Sequence, residues 1–96
     1  MTDKQNNMIK IIMSSYGYEQ QREIFVEECA EAIQAVQKCK RATTDNYTER
    51  RGNLKEEVAD VLIMAEQMRQ YIGAKDIDKI IDTKLRRQIE RIKEEV

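Results

Sequence analysis

The sequence repeats one seven-residue pattern, FVEECAE at residues 25–31 and LKEEVAD at residues 54–60. Each copy reads apolar residue, any residue, two glutamates, any residue, alanine and an acid. Residues three apart on an α-helix lie on one face, so Glu28 is beside Glu31 and Glu57 is beside Asp60. Two such helices packed together would bring four carboxylates to one place.

This predicted cluster requires neutralisation, because partly buried carboxylates repel one another and lose hydration. The positions one turn further along each helix carry no positive charge; they are Ala32, Ala35, Val61 and Met64. Ligands that are all oxygen favour magnesium or manganese. We therefore predict a metal site made by the four acids, and ion pairs with lysines of another helix are the alternative.

Length, charge and composition narrow the classes of function that the chain can have. The 96 residues predict one domain, 1–96, whose small core would be helped by a homodimer or homotetramer. Seventeen basic residues against 18 acidic ones give a net charge of −1, which argues against polymeric nucleic acid as a partner. Histidine is absent, so zinc and non-haem iron sites lack their usual ligand.

Composition also predicts where the protein works. No apolar run is long enough for a membrane span, and the N-terminus lacks the layout of a signal peptide. Cys29 and Cys39 fall on one predicted helix, about 15 Å apart, which is too far for a disulfide. Free thiols favour a cytoplasmic protein with no membrane partner.

The chain has no proline, three glycines and 36% charged residues, which predicts an all-α fold. We expect one short helix over about residues 3–13 and three long ones over 18–40, 54–72 and from 76 almost to the C-terminus. Residues 41–53 form the main predicted loop, part of which can be helical. Asn53 and Asp76 are predicted helix caps, and Gly73 a left-handed stop.

Apolar stripes beside the acids predict the core. In the second helix the stripe is Phe25, Cys29, Ala32 and Val36; in the third it is Leu54, Val58, Val61, Ala65, Met68 and Ile72. The acidic stripes border this core. Glu27 and Glu56 project about 100° further round and are expected to be more exposed.

The fourth helix carries candidate phosphate ligands. Lys84, Gln88 and Arg91 recur at i, i+4 and i+7 beside an apolar face. Two cations on one face near a metal-loaded acidic site suit a polyphosphate. The alternative is that they cover apolar surface and interact with the helix dipole.

The order of these motifs resembles the MazG-like superfamily of all-α nucleoside triphosphate pyrophosphatases. The resemblance spans about residues 21–91: Glu28-x-x-Glu31, a long loop, Glu57-x-x-Asp60, then Lys84-x-x-x-Gln88-x-x-Arg91. It implies a MazG-like helical bundle completed by oligomerisation, with active sites near the subunit interface. It also implies magnesium-dependent hydrolysis of a nucleoside triphosphate to a monophosphate and pyrophosphate.

The family roles carry over by position. The resemblance implies that the four acids bind the metal and act in catalysis, and that Lys84 and Arg91 contact phosphates. Gln88 stands where asparagine is usual in the family, and its amide is the matching substrate-binding candidate. Gln21, one heptad before Glu28, and Tyr16 or Tyr18 at the helix entrance are candidates for recognising the base.

Three alternatives remain. A phosphoribosyl-ATP pyrophosphatase has a similar acid pattern, but the 25 residues between Glu31 and Glu57 are more than its shorter connection leads us to expect. The dimeric dUTPase branch generally has longer chains. A non-enzymatic helical oligomerisation module would use the same stripes as dimer seams, with the acids paired to Lys84, Arg87 or Arg91.

Overall fold

The computed structural model describes residues 1–95, which form four α-helices and no strand. The helices are α1 (Asp3–Tyr16), α2 (Tyr18–Lys40), α3 (Tyr47–Ile72) and α4 (Ala74–Glu95). Helix α1 has 14 residues, and the other three have 22 to 26. The prediction of an all-α fold with one short and three long helices is confirmed.

Helix α1 begins with a capping box. The Thr2 hydroxyl accepts a hydrogen bond from the Gln5 backbone at 3.1 Å, and the Gln5 side chain accepts one from the Thr2 backbone at 2.9 Å. The helix ends three residues later than predicted, and Ser15 lies within it, donating its hydroxyl hydrogen to the Ile11 carbonyl. Gly17, at φ 84°, then makes the turn into α2.

Helix α2 has the predicted bounds, but the loop after it is shorter than predicted. Helix α3 already begins at Tyr47, so Gly52 and Asn53 lie inside it and Asn53 caps nothing. Contacts with the end of α2 stabilise this first part of α3. The Arg50 guanidinium donates to the Lys38 carbonyl at 2.7 Å, and the Cys39 thiol donates to the Arg50 carbonyl at 3.4 Å.

The end of α3 agrees with the prediction, and the start of α4 does not. Gly73, at φ 132°, ends α3 with its backbone N–H bonded to the Arg69 carbonyl. Helix α4 begins at Ala74, so Asp76 lies in its first turn and is not a cap. A carboxylate in the first turn still interacts favourably with the helix dipole.

Helices α2 and α3 form the antiparallel pair on which the fold is built. Gln21 pairs with Gln67 at one end, and Lys38 pairs with Arg50 at the other. Helix α1 packs against both members of the pair, whereas α4 contacts only α3. The site-bearing helices are therefore each other's main partners.

The face on which α2 and α3 meet differs from the prediction. The buried apolar residues are Ile9, Ala35, Met64 and Met68, and two glutamines are buried with them. Ala35 and Met64 belong to the acid-bearing stripes. Of the predicted apolar stripes, Val36 and Val58 remain 44% exposed, so those stripes are only partly buried. The acid stripe lies in the interface because α2 and α3 are rotated toward it.

Helix α4 extends away from the pair. The described chain measures 43 × 42 × 24 Å. Helix α3 is about 39 Å long and accounts for one of the two long dimensions. The second indicates that α4, about 33 Å long, points in a different direction from α3. None of the residues of α4 is buried. It is joined to α3 by a two-bond ion pair, in which Arg69 donates to Asp78 at 2.6 and 2.8 Å.

Candidate metal centre

Three of the four predicted acids meet between α2 and α3. Glu28, Glu31 and Glu57 each place a carboxylate oxygen within 4.8 Å of the others. Glu28 and Glu57 are half-buried, and Glu31 is exposed. The spacing of each acid pair on its helix and the antiparallel packing of the two helices together produce this arrangement.

Asp60 is exposed on α3 and is not among the three acids whose oxygens meet, but its charge reaches them. Burial raises the pKa of Glu28, and the negative charge of Asp60 is the next largest cause. Burial likewise raises the pKa of Glu57, followed by the charge of Glu31. The four acids therefore act on one another across the helix pair, as a single cluster of negative charge.

No basic side chain neutralises this cluster within residues 1–95. The salt bridges of the described chain involve Arg22, Arg69, Arg86 and Lys93, and none includes a cluster acid. One oxygen each of Glu28 and Glu57 is also buried without a hydrogen-bond partner. Buried, unpartnered carboxylate oxygens suit a bound cation, for which they would be ligands.

The donors of the site define the class of metal that fits. They are carboxylate oxygens, which suit magnesium or manganese, hard cations with oxygen ligands. Glu27 and Glu56, the leading acids of the two motifs, are exposed as predicted.

The candidate phosphate ligands lie elsewhere in the chain. Lys84, Gln88 and Arg91 are exposed on α4, which does not contact α2 within the described residues. Neither Lys84 nor Arg91 forms a salt bridge with a described residue. One chain therefore leaves these cations on a helix that extends away from the one carrying Glu28 and Glu31.

The candidate base-recognition residues lie at or beside the start of α2, which packs near the end of α3. Gln21 is 3% exposed and donates a hydrogen bond to Gln67. Tyr18 packs edge-on against Tyr71, with ring centres 5.3 Å apart, and Tyr16 is exposed. Sequence reasoning missed Gln67. The signal was available, because Gln67 follows Asp60 by one heptad just as Gln21 precedes Glu28 by one.

The family comparison agrees with this geometry. The family model described as the MazG nucleotide pyrophosphohydrolase domain matches residues 17–96. The chain belongs to this family, whose members are hydrolases of nucleotides. The match includes both acid motifs and α4, and it begins just after α1.

No individual curated protein and no solved structure matches the chain significantly. The family assignment therefore rests on the domain as a whole and on the acid cluster. Within residues 1–95, no helix combines the length and the apolar character that a membrane crossing requires.

Proposed function

We propose that this protein is a magnesium-dependent nucleoside triphosphate pyrophosphohydrolase. It would convert a ribo- or deoxyribonucleoside triphosphate and water to the monophosphate and pyrophosphate, as nucleotide-pool housecleaning. The observation that carries the proposal is the uncompensated carboxylate cluster, with buried, unpartnered oxygens on Glu28 and Glu57, in a chain of this family. Manganese can substitute because it takes the same oxygen ligands.

In the proposed mechanism the four acids hold the metal against the triphosphate. The contribution of magnesium, when bound, would be to screen the triphosphate charge and to activate a water. Glu28, Glu31 and Glu57 are the ligands whose oxygens already lie close together. The water oxygen would bond to the α-phosphorus as the anhydride bond between the α- and β-phosphates breaks and pyrophosphate leaves. A carboxylate oxygen of the cluster that is not itself bound to metal would accept the proton of the water.

We further propose that Lys84 and Arg91, with Gln88 between them, bind phosphate oxygens. Both cations are without a salt bridge to a described residue, so they are available to an anion. Their charge would stabilise the pyrophosphate leaving group. Because α4 does not contact α2, we propose that they serve a site formed together with a neighbouring subunit.

The proposed homodimer or homotetramer is supported by the apolar stripe of α4. Ile81, Leu85, Ile89 and Ile92 are 46 to 62% exposed. An unpartnered stripe of this kind is typical of a subunit interface. We expect Leu85→Asp to dissociate the assembly in sedimentation, and Thr83→Asp, which adds the same charge about 160° away around α4, to leave it intact. A native assembly with Leu85→Asp would exclude this interface.

The cytoplasm is the proposed location. Both cysteines are free thiols, and free thiols persist in a reducing compartment.

The exposed stripe also favours the second candidate, a helical oligomerisation module without activity. A thermal-shift experiment separates the two. Bound metal stabilises the folded state by mass action, so millimolar magnesium should raise the melting temperature more than sodium chloride at equal ionic strength. Equal shifts with the two salts would favour the module.

The enzyme proposal is tested by pyrophosphate release. A panel of canonical, damaged and deoxyribonucleoside triphosphates, with phosphoribosyl-ATP included, is incubated with the protein and magnesium. We expect pyrophosphate from at least one triphosphate and none after chelation. Orthophosphate alone, or no product from any substrate, would contradict the proposal, and activity only on phosphoribosyl-ATP would assign the rival enzyme.

A further inference from the structure

A buried amide pair joins α2 and α3 beside the acid cluster. Gln21 donates its amide hydrogen to the Gln67 side-chain oxygen at 2.8 Å, and the two residues are 3% and 1% exposed. Gln67 in turn donates to the Met64 sulfur at 3.5 Å. The Gln21 side-chain oxygen is buried and has no partner among the described residues.

This pair is a poor source of stability. A buried amide oxygen without a hydrogen bond loses its hydration and gains nothing in return. Two apolar side chains of similar size would avoid that loss, and such replacements are often neutral or stabilising. The amide pair is therefore better explained by a requirement for specificity.

The pair shares one antiparallel register with the acids. Gln21 precedes Glu28 by seven residues, and Gln67 follows Asp60 by seven. On the far side, Lys38 follows Glu31 by seven residues, and its partner Arg50 precedes Glu57 by seven. Two hydrogen bonds between α2 and α3 thus flank the cluster, each about 10.5 Å from it along the helix. A single register of the two helices allows both hydrogen bonds and brings the acids together.

Apolar contacts in the same interface cannot select that register as sharply. Ala35 is small, and Met64 and Met68 are flexible side chains that fit several packings. A shift of one residue moves a side chain by about 1.5 Å along the helix and by about 100° around it. Such a shift breaks a 2.8 Å hydrogen bond, whereas methionines adapt to it.

We infer that the Gln21–Gln67 pair is a positioning element that sets the register of α2 against α3 and so aligns the carboxylates of Glu28, Glu31, Glu57 and Asp60. Both amides are buried, so the pair acts through the helices and not by contact with metal or base, and this role replaces base recognition as the one inferred for Gln21. A polar residue that fixes helix register at some cost in stability has precedent in coiled coils. The inference rests on the proposed function in that the aligned acids serve a metal.

The test compares the wild type with Gln21→Leu/Gln67→Leu. The metal is Mn²⁺, and its binding is followed by the electron paramagnetic resonance of free Mn²⁺, without nucleotide. We expect the double variant to melt no lower than the wild type, because the unpartnered oxygen is gone, and yet to bind Mn²⁺ about 10- to 100-fold more weakly. A purely structural pair would not separate the two readouts.

Met68→Leu is the matched control, a volume-conserving change in the same interface that leaves the amide pair intact. It should bind Mn²⁺ as the wild type does. Unchanged Mn²⁺ affinity in the double leucine variant would overturn the inference, as would a base preference that changes while metal affinity does not. If the double variant does not fold, Gln21→Met provides the same comparison with one amide retained.

A metal-free measurement keeps this inference separate from the proposed function. In a Cys29→Ala/Cys39→Ala background, Glu31→Cys and Glu57→Cys place one thiol on each helix in the inferred register. We expect the disulfide to form several-fold more slowly when both glutamines are leucine. Equal rates would refute the register role, whereas a wild type that binds no Mn²⁺ would refute only the proposed metal site.

Discussion

The α2–α3 pair and α4 distribute polar and apolar side chains in opposite ways. The pair encloses two glutamines and two half-buried glutamates, whereas α4 exposes its leucine and four of its five isoleucines. Burying polar groups without hydrogen-bond or charge partners lowers stability, and exposed apolar side chains do not contribute the stability that their burial would give. The difference teaches that each region has groups without partners in the described chain: carboxylate oxygens between α2 and α3, and apolar side chains on α4.

Protonation also separates the two regions. Burial and neighbouring carboxylates raise the pKa of Glu28 and Glu57 in the cluster. Where α4 joins α3, the hydrogen bonds from Arg69 lower the pKa of Asp78. Opposite shifts produce opposite dependences of stability on pH, which makes the contrast measurable.

The largest expected effect is the loss of turnover when a cluster acid is neutralised. Four variants should each lower kcat at least about 100-fold: Glu28→Gln, Glu31→Gln, Glu57→Gln and Asp60→Asn. Loss of a residue that only hydrogen-bonds to a metal ligand typically costs about 10- to 100-fold in activity, and these variants change the ligands themselves. Each should melt at or above the wild-type temperature without metal, because repulsion is relieved. Pyrophosphate release and melting temperature are measured on the same samples.

Glu27→Gln and Glu56→Gln are the matched controls, because they remove the same charge from exposed positions on the same helices. They should retain most of the activity. Full activity in any two of the four cluster variants would contradict the assignment of the acid cluster between α2 and α3 as the reaction centre.

The next effect concerns the cations of α4. Lys84→Ala and Arg91→Ala should lower kcat/KM roughly 100-fold through lost stabilisation of the leaving group, with little change in assembly. Lys93→Ala removes the same charge about 180° around the helix and should be near wild type. Kinetics and sedimentation are run together. Dissociation into monomers, with activity following the remaining oligomer, would assign Lys84 and Arg91 to the interface.

A smaller effect is expected in the pH dependence of stability without metal. The folded-state pKa of Glu28 and Glu57 lies above the ordinary value of 4.5, so the folded protein binds protons more tightly than the unfolded chain. Their contribution to stability is fully present below 4.5 and is lost as the pH rises through the raised values. The melting temperature of chelated protein should therefore fall as the pH rises above 4.5.

Magnesium should remove much of this slope, because it stabilises the ionised carboxylates. Glu28→Gln should flatten it without metal. A chelated wild type whose melting temperature stays constant as the pH rises above 4.5 would show that folding does not raise the pKa of these carboxylates.

The smallest effect is expected at the junction of α3 and α4. Asp78→Asn removes the charge that pairs with Arg69, and an exposed ion pair contributes little. We expect the melting temperature to fall by a few degrees at most near neutral pH. The difference from wild type should shrink as the pH falls below the ordinary value of 3.8 and vanish below the lowered pKa of Asp78, because the ion pair stabilises the fold only while Asp78 is ionised. Asp82→Asn, a change in the neighbouring turn of α4, is the control.

Local patterns predicted the parts of this protein that depend on one helix at a time. The bounds of α2, the stop at Gly73 and the facing of each acid pair follow from helical periodicity and from the backbone freedom of glycine. The start of α3 was predicted wrongly at Leu54. Gly52 and Asn53 favour a break locally, but the Arg50 contact with the end of α2 stabilises the helix across them.

The sequence by itself determined the four helices, the two acid pairs and their likeness to a nucleotide pyrophosphohydrolase. Only the tertiary structure decided that the acid-bearing faces meet each other, that Gln67 is the partner of Gln21, and that α4 stands apart from α2. Spacing along one helix is local and repeats every turn. Which face is buried, and in which register, depends on how the side chains of two helices pack, and no single-helix pattern contains that information.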